Sequence, residues 1–191
     1  MLKKLSSVTA PDDRFEAVVV HDAQTGAVRP MSIADHHAAI AAIELAVEVS
    51  EPVRTVFERA RNAFLYSWFV YDLTPLAEGQ GYAALEMALR ETRRREFGVR
   101  TARGLSEQLH EAFRAGLFED FPLPPGDEYP DRSAYFVQIT SLIRHFRNHL
   151  AHGSAYVNMP GATLEALRLC RDLIDHLYRK QRGFGVTRAT D

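Results

Sequence analysis

From Val53 to Tyr71, apolar side chains recur every three or four residues, at Val53, Phe57, Ala60, Phe64, Trp68 and Tyr71. Only an α-helix, at about 3.6 residues per turn, gathers such positions onto one face. Leu65, Phe69 and Val70 widen the stripe, which predicts a central helix buried on most sides. Glu51-Pro52 starts it, with proline early in the first turn, where its missing N–H costs little. A helix buried in this way needs other apolar faces around it, and the chain supplies them. Ser32 offers an N-cap for a helix over 33–49 that carries Ile40, Ile43 and Val47. Thr74-Pro75 reads as the cap and first turn of another, which passes through Tyr82, Leu85, Met87 and Leu89 and ends near Gly98. Gly79 and Gly81 weaken its start, and either close packing against the preceding helix or local flexibility accounts for them.

A shorter helix follows over 105–118, then an acidic loop rich in Pro and Gly over 119–132. Ser133 reads as the cap of a helix with the apolar face Phe136, Ile139, Ile143, Phe146 and Leu150, stopped by Gly153. The last helix carries Leu164, Leu167, Leu169, Leu173, Ile174 and Leu177. Near the N-terminus, residues 1–13 read as a frayed end. The β-rich Phe15–Val20, a turn over Asp22–Gly26 and Ala27-Val28-Arg29 predict a short hairpin packed on the helices. The expected fold is mainly α: a bundle of five to six helices with a short N-terminal β-hairpin. Residues 1–31 form the tail and hairpin, 32–182 the bundle and 183–191 a disordered tail.

Composition narrows the function. The 191 residues are 46% hydrophobic and 25% charged, ordinary for one globular domain. Cys170 is the sole cysteine, so an intrachain disulfide or a cysteine-based zinc site is ruled out, and on a helix it reads as a buried thiol. No stretch approaches the ~18 apolar residues of a membrane span, and no signal segment follows Met1. A cytoplasmic protein with no membrane partner is therefore expected. The net charge of −2 argues against a general nucleic-acid binder. Its distribution is uneven, because Arg90, Arg93, Arg94, Arg95, Arg100 and Arg103 crowd one stretch. They read as a solvated helix end suited to the macrodipole, or as a phosphate-binding patch. Phosphate-binding glycine loops, His-Glu-x-x-His, Gly-x-Ser-x-Gly and calcium loops are all absent, so no cofactor is expected.

The segment Arg147-Asn148-His149-Leu150-Ala151-His152 remains. Arg147 sits at the edge of an apolar stripe, where a charge is costly unless paired. Glu86 or Glu78 could pair with it, and so could a phosphate, which the guanidinium fork binds through two hydrogen bonds. His152 has the group suited to moving protons near neutral pH. Asn148 and His152, at i and i+4, share a helix face. Arg147 and His152 are separated by about 500° at ~100° per residue, so they converge only where the helix opens, at Gly153. Together they have the parts for metal-free RNA cleavage. One His–Arg pair per chain suggests a two-fold homodimer that brings two copies into one cleft. Other readings stay open. His145, His149 and His152 put three imidazoles on one helix face, where zinc or nickel could bind. Arg147 could simply salt-bridge Glu86, and Glu86–Arg90 could be an ordinary i,i+4 pair. Tyr156 could line a cleft or merely pack, and His36-His37 read as a polar helix face.

The helix-ending Arg147-Asn148-x-x-x-His152 resembles the signature of the HEPN superfamily, the "higher eukaryotes and prokaryotes nucleotide-binding" helical domains. The resemblance covers residues 53–96 and 133–178 and leaves the N-terminal hairpin outside. It implies an all-helical bundle. It also implies a metal-independent ribonuclease acting as a homodimer on RNA, of the kind found as toxins beside an antitoxin partner, in abortive infection or in RNA processing. On this pattern Arg147, His152 and Asn148 are catalytic and no metal is bound. Glu86 is the supporting acid from the earlier helices, with His149 and Tyr156 as further supporting candidates. The alternative is a catalytically inactive HEPN-like dimerisation or adaptor domain that binds a protein or nucleotide.

Overall fold

A computed structural model describes residues 2–22, 25–98, 104–123, 131–151 and 157–186; residues 148–151 and 180–186 are described by their backbone alone. Among these residues are six helices and one two-stranded sheet. The helices are α1 (Ile33–Ala41), α2 (Glu51–Ser67), α3 (Thr74–Phe97), α4 (Leu105–Arg114), α5 (Arg132–Ala151) and α6 (Pro160–Val186). The strands β1 (Val19–His21) and β2 (Val28–Pro30) pair antiparallel, Val20 opposite Arg29. The chain is thus mainly α with a short N-terminal hairpin, as its periodicities predict. No described helix is long and apolar enough to cross a membrane.

The centre of the bundle is α3 rather than α2. It packs on α2, α4, α5 and α6, and half of its length is buried, including Ala77, Gly81, Ala84 and Ala88. Small residues let neighbouring backbones come close on several sides, yet they carry little weight in an apolar pattern. Gly81 shows the effect. A Cβ there would stand 2.7 Å from Leu167 Cδ2 and 3.7 Å from Cys170 Sγ. Close packing explains this glycine, but the neighbour is α6, not the preceding helix. At the other end Gly98 closes α3 with φ 64°, a left-handed conformation that glycine adopts without strain.

Helix α1 is shorter than its pattern. Ser32 caps it through a reciprocal box with Asp35, but it stops at Ala41 rather than Val49. The following backbone is held from outside: Asp175 Oδ1 accepts the Ala46 N–H at 2.9 Å, and Arg54 Nη2 donates to the Val47 and Val49 carbonyls at 2.6 and 2.8 Å. Ile43, Leu45 and Val49 are buried without a helix. Tertiary partners outweigh local propensity here.

Helix α2 also ends early. The Phe64 carbonyl, which would take the Trp68 N–H, instead accepts from Ser67 Oγ at 2.6 Å and His36 Nε2 at 2.8 Å. Trp68 and Tyr71 then leave the expected stripe and form a second apolar cluster with Phe15. Phe15 belongs to a 3₁₀ turn over Asp13–Ala17, not to a strand. Asp12 fastens this N-terminal segment: its N–H donates to the Trp68 carbonyl at 2.8 Å, and its carboxylate accepts the Tyr71 N–H. His36 is not on a polar face. It is fully buried and stacked on Phe64, and desolvation lowers its pKa, so the neutral ring is the form that fits.

Two further starts differ from expectation. Helix α5 begins at Arg132, and Asp131 Oδ1 rather than Ser133 accepts the Ala134 N–H, at 2.8 Å. The backbone of α6 continues through Val186, past the expected start of a disordered tail at 183, while residues 187–191 lie outside the described residues.

Candidate functional site

Helix α5 carries Arg147, Asn148 and His149 into its last turns, because Phe136, Ile139 and Ile143 lock one face into the core. Arg147 follows Ile143 by one turn and emerges at the rim of that face. Its guanidinium Nη2 donates to Glu86 Oε2 at 2.9 Å. Glu86 comes from the middle of α3 and is nearly buried. Its other oxygen pairs with Arg90 one turn further along and accepts from Gln108 Nε2 of α4 at 3.5 Å. The two arginine side chains remain 45% and 53% exposed, against 10% for the carboxylate between them. A Cβ at Gly104, just before α4, would stand 3.8 Å from Arg147 Nη1. The start of α4 thus lies against the arginine.

The chemistry of this cluster follows from its charges. Among the described residues, two guanidiniums share one carboxylate at a half-open surface. Glu86 fixes the direction of Arg147 from below, and an anion arriving from solvent meets the outward edge of the guanidinium.

The sequence-derived candidates fall into three groups. Arg147 and Glu86, predicted as possible partners, are brought together, and Glu86 binds Arg90 as well. Asn148 and His149 lie on α5, with side chains outside the described residues. His152, Tyr156 and the expected stop at Gly153 also lie outside them. The described residues contain no group of three or more side chains able to hold a metal ion, but the side chains of His149 and His152 are not among those described. In the arginine-rich stretch, Arg93 is not a solvated residue. It is buried and pairs with Glu111 of α4 at 2.6 Å. Arg100 and Arg103 lie outside the described residues.

Glu78, the other acid that the sequence offered to Arg147, does not take that role: two turns before Glu86, it pairs with no arginine among the described residues. It is 3% exposed and accepts from Asn158 Nδ2 at 2.9 and 3.0 Å and from Thr163 Oγ1 at 2.6 Å. Tyr71 Oη donates to the Asn158 carbonyl at 3.1 Å. The chain just after residues 152–156 is therefore clamped to α3, as Arg147 clamps the chain before them. The available signal was the line Thr74, Glu78, Tyr82, Leu85, a carboxylate inside a buried helix face. Cys170, beside it, is an inert structural thiol: burial pushes its pKa well above the ordinary range. No protein-family model, characterised protein or solved structure matches the chain.

Proposed function

We propose that the chain is a cytoplasmic, metal-independent endoribonuclease of HEPN type, with Arg147, His152 and Asn148 as its catalytic set and Glu86 as the residue that orients Arg147. One observation carries this reading. The arginine of the Arg147-Asn148-x-x-x-His152 segment is held by a buried acid of α3, half exposed, beside a second arginine on the same carboxylate. That is the arrangement a phosphate-binding arginine needs.

In the proposed reaction, the His152 imidazole takes the proton of a ribose 2′-OH. The 2′ oxygen attacks the adjacent phosphorus, the bond to the 5′ oxygen breaks, and that oxygen leaves with a proton. The products are a 2′,3′-cyclic phosphate and a 5′-OH. Arg147 stabilises the charge that grows on the phosphoryl oxygens, and Asn148 orients the histidine. A homodimer would supply a second histidine to protonate the leaving oxygen. A role as the toxin of a toxin–antitoxin or phage-defence pair would suit such an activity. The competing reading, a silent dimerisation or adaptor domain, draws on the same contact, since a salt bridge with Glu86 alone satisfies Arg147.

Purified protein incubated with RNA in EDTA decides between them. The nuclease reading expects cleavage with 2′,3′-cyclic phosphate ends and at least a hundredfold loss in His152→Ala and Arg147→Ala, about 3 kcal/mol of transition-state stabilisation. Circular dichroism should stay unchanged in both. No cleavage, or equal cleavage by the variants, sinks the nuclease and leaves the adaptor. Activity lost to EDTA would point to the histidine row as a metal site.

A further inference from the structure

Glu86, Arg90, Arg93 and Phe97 occupy i, i+4, i+7 and i+11 of α3, one stripe of a helix. Helix α4 runs beside that stripe in the same direction. Gln108 meets Glu86, Glu111 meets Arg93, and Ala112 and Ala115 lie level with Phe97. These contacts fill the seam between the two helices, and Glu86, Arg93 and Gln108 are buried in it. At its far end stands a cavity of about 290 Å³ lined, among the described residues, by Arg93, Phe97, Glu111, Ala112 and Ala115.

The chemistry of the cavity is mixed in a particular way. One side is a phenyl ring that is 49% exposed, beside the small side chains of Ala112 and Ala115. The Arg93–Glu111 ion pair adds a polar edge to the lining. Arg94 and Arg95 stand exposed on the same last turns of α3. An aromatic face, a polar edge and nearby guanidiniums suit a planar base attached to a polyanion. An apolar peptide side chain would leave the polar edge unused.

We infer that this cavity is a base subsite for single-stranded RNA, in which Phe97 stacks one nucleobase of a strand that also reaches Arg147. The inference rests on the nuclease reading and adds to it a substrate class and a specificity element. The spacing is compatible with one short strand. Eleven residues of helix span about 16 Å, roughly five nucleotides at ~3.4 Å each when stacked and fewer when extended. A duplex is not the substrate, because its base faces are covered by their neighbours.

The test reads binding at position 97 without requiring cleavage. Trp68 is the natural tryptophan of the chain and is buried, so Phe97→Trp places a second, exposed reporter at the cavity. The probe is 2′-O-methyl hexauridylate, which lacks the 2′-OH and cannot be cut. The subsite expects saturable quenching of the new emission, with little from the same strand in a duplex. It also expects about tenfold weaker binding of the probe by Phe97→Ala and by Ala115→Leu, which narrows the cavity from an exposed position. Unchanged emission, equal quenching by the duplex, or full affinity in both variants overturns the subsite. The outcomes separate cleanly from the nuclease reading. Quenching in a protein that cuts no RNA keeps the subsite and removes the enzyme; cleavage without quenching does the reverse.

Discussion

Two glutamates on one helix, Glu78 and Glu86, are treated in opposite ways. They stand eight residues apart on α3, about 12 Å along its axis, and both are mostly buried. Glu78 is surrounded by neutral donors, Asn158 and Thr163, with Tyr82 and Cys170 close by. Glu86 is shared by two guanidiniums whose outer halves reach solvent. The first arrangement fixes a backbone in the interior. The second holds two cations at a surface on one carboxylate. In sequence, His152 falls between the two clamped segments. The contrast separates a residue that builds a site from one that takes part in it.

The sharpest way to break this contrast is Glu78→Ala. It strands the Asn158 amide and the Thr163 hydroxyl in a dry interior and opens a cavity, at a cost of about 3 kcal/mol. At ~3 °C per kcal/mol for a domain of this size, the melting temperature should fall by roughly 9 °C. Glu78→Gln keeps the volume but turns one acceptor into a donor that faces other donors, so about half that loss is expected. A variant that melts within 2 °C of the parent would show that the clamp contributes nothing to the fold.

Glu86→Gln should cost less, about 1 kcal/mol, because Arg90 and Arg147 regain water when they lose the carboxylate. Salt sharpens the difference. Screening at ~1 M salt, with a Debye length near 3 Å, should remove most of the Glu86 effect and leave that of Glu78 in place. Thermal melts of both variants at low and high salt check this. Equal salt responses would mean that the two acids sit in the same electrostatic environment and that the proposed division of labour is wrong.

How much of this was legible in the sequence depends on the kind of contact. The apolar faces of α2 up to Phe64 and of α5 from Phe136 to Ile143, the N-cap at Ser32 and a short hairpin follow from local patterning and stand in the structure. The Arg147–Glu86 pair was legible as a charge at the edge of an apolar stripe that had to find a partner. What stayed hidden depends on residues distant in sequence. The end of α1 is set by Asp175 and Arg54, and the end of α2 by two side chains on the Phe64 carbonyl. The central place of α3 rests on alanines and Gly81, whose contribution is closeness rather than hydrophobicity. The partners of Glu78 stayed hidden for a similar reason. Asn158 and Thr163 are short polar residues in a loop and at a helix start, and nothing in their local pattern names an acid eighty residues away.

An effect no larger than that of Glu86→Gln tests the frame that holds both acids. Gly81 lies between Glu78 and Glu86, where α3 meets α6, the helix that carries Thr163. Gly81→Ala introduces opposed terms. Alanine favours the helix by up to about 1 kcal/mol, while its methyl, 2.7 Å from Leu167 Cδ2, must push that side chain aside. Leu167 is fully buried among tightly packed neighbours, so the overpacking cost of ~1–3 kcal/mol should outweigh the gain. A net loss near 1 kcal/mol is expected, or about 3 °C in melting temperature. The variant should also weaken the Glu78 side more than the Glu86 side. If α6 moves outward, Thr163 leaves Glu78, whereas Arg147 arrives on α5 and keeps its reach. A double-mutant cycle reads this directly: Gly81→Ala should couple to Glu78→Gln and add independently to Glu86→Gln. A stabilised Gly81→Ala would mean that Leu167 has room to turn, and that this glycine is not what sets the approach of α6 to α3.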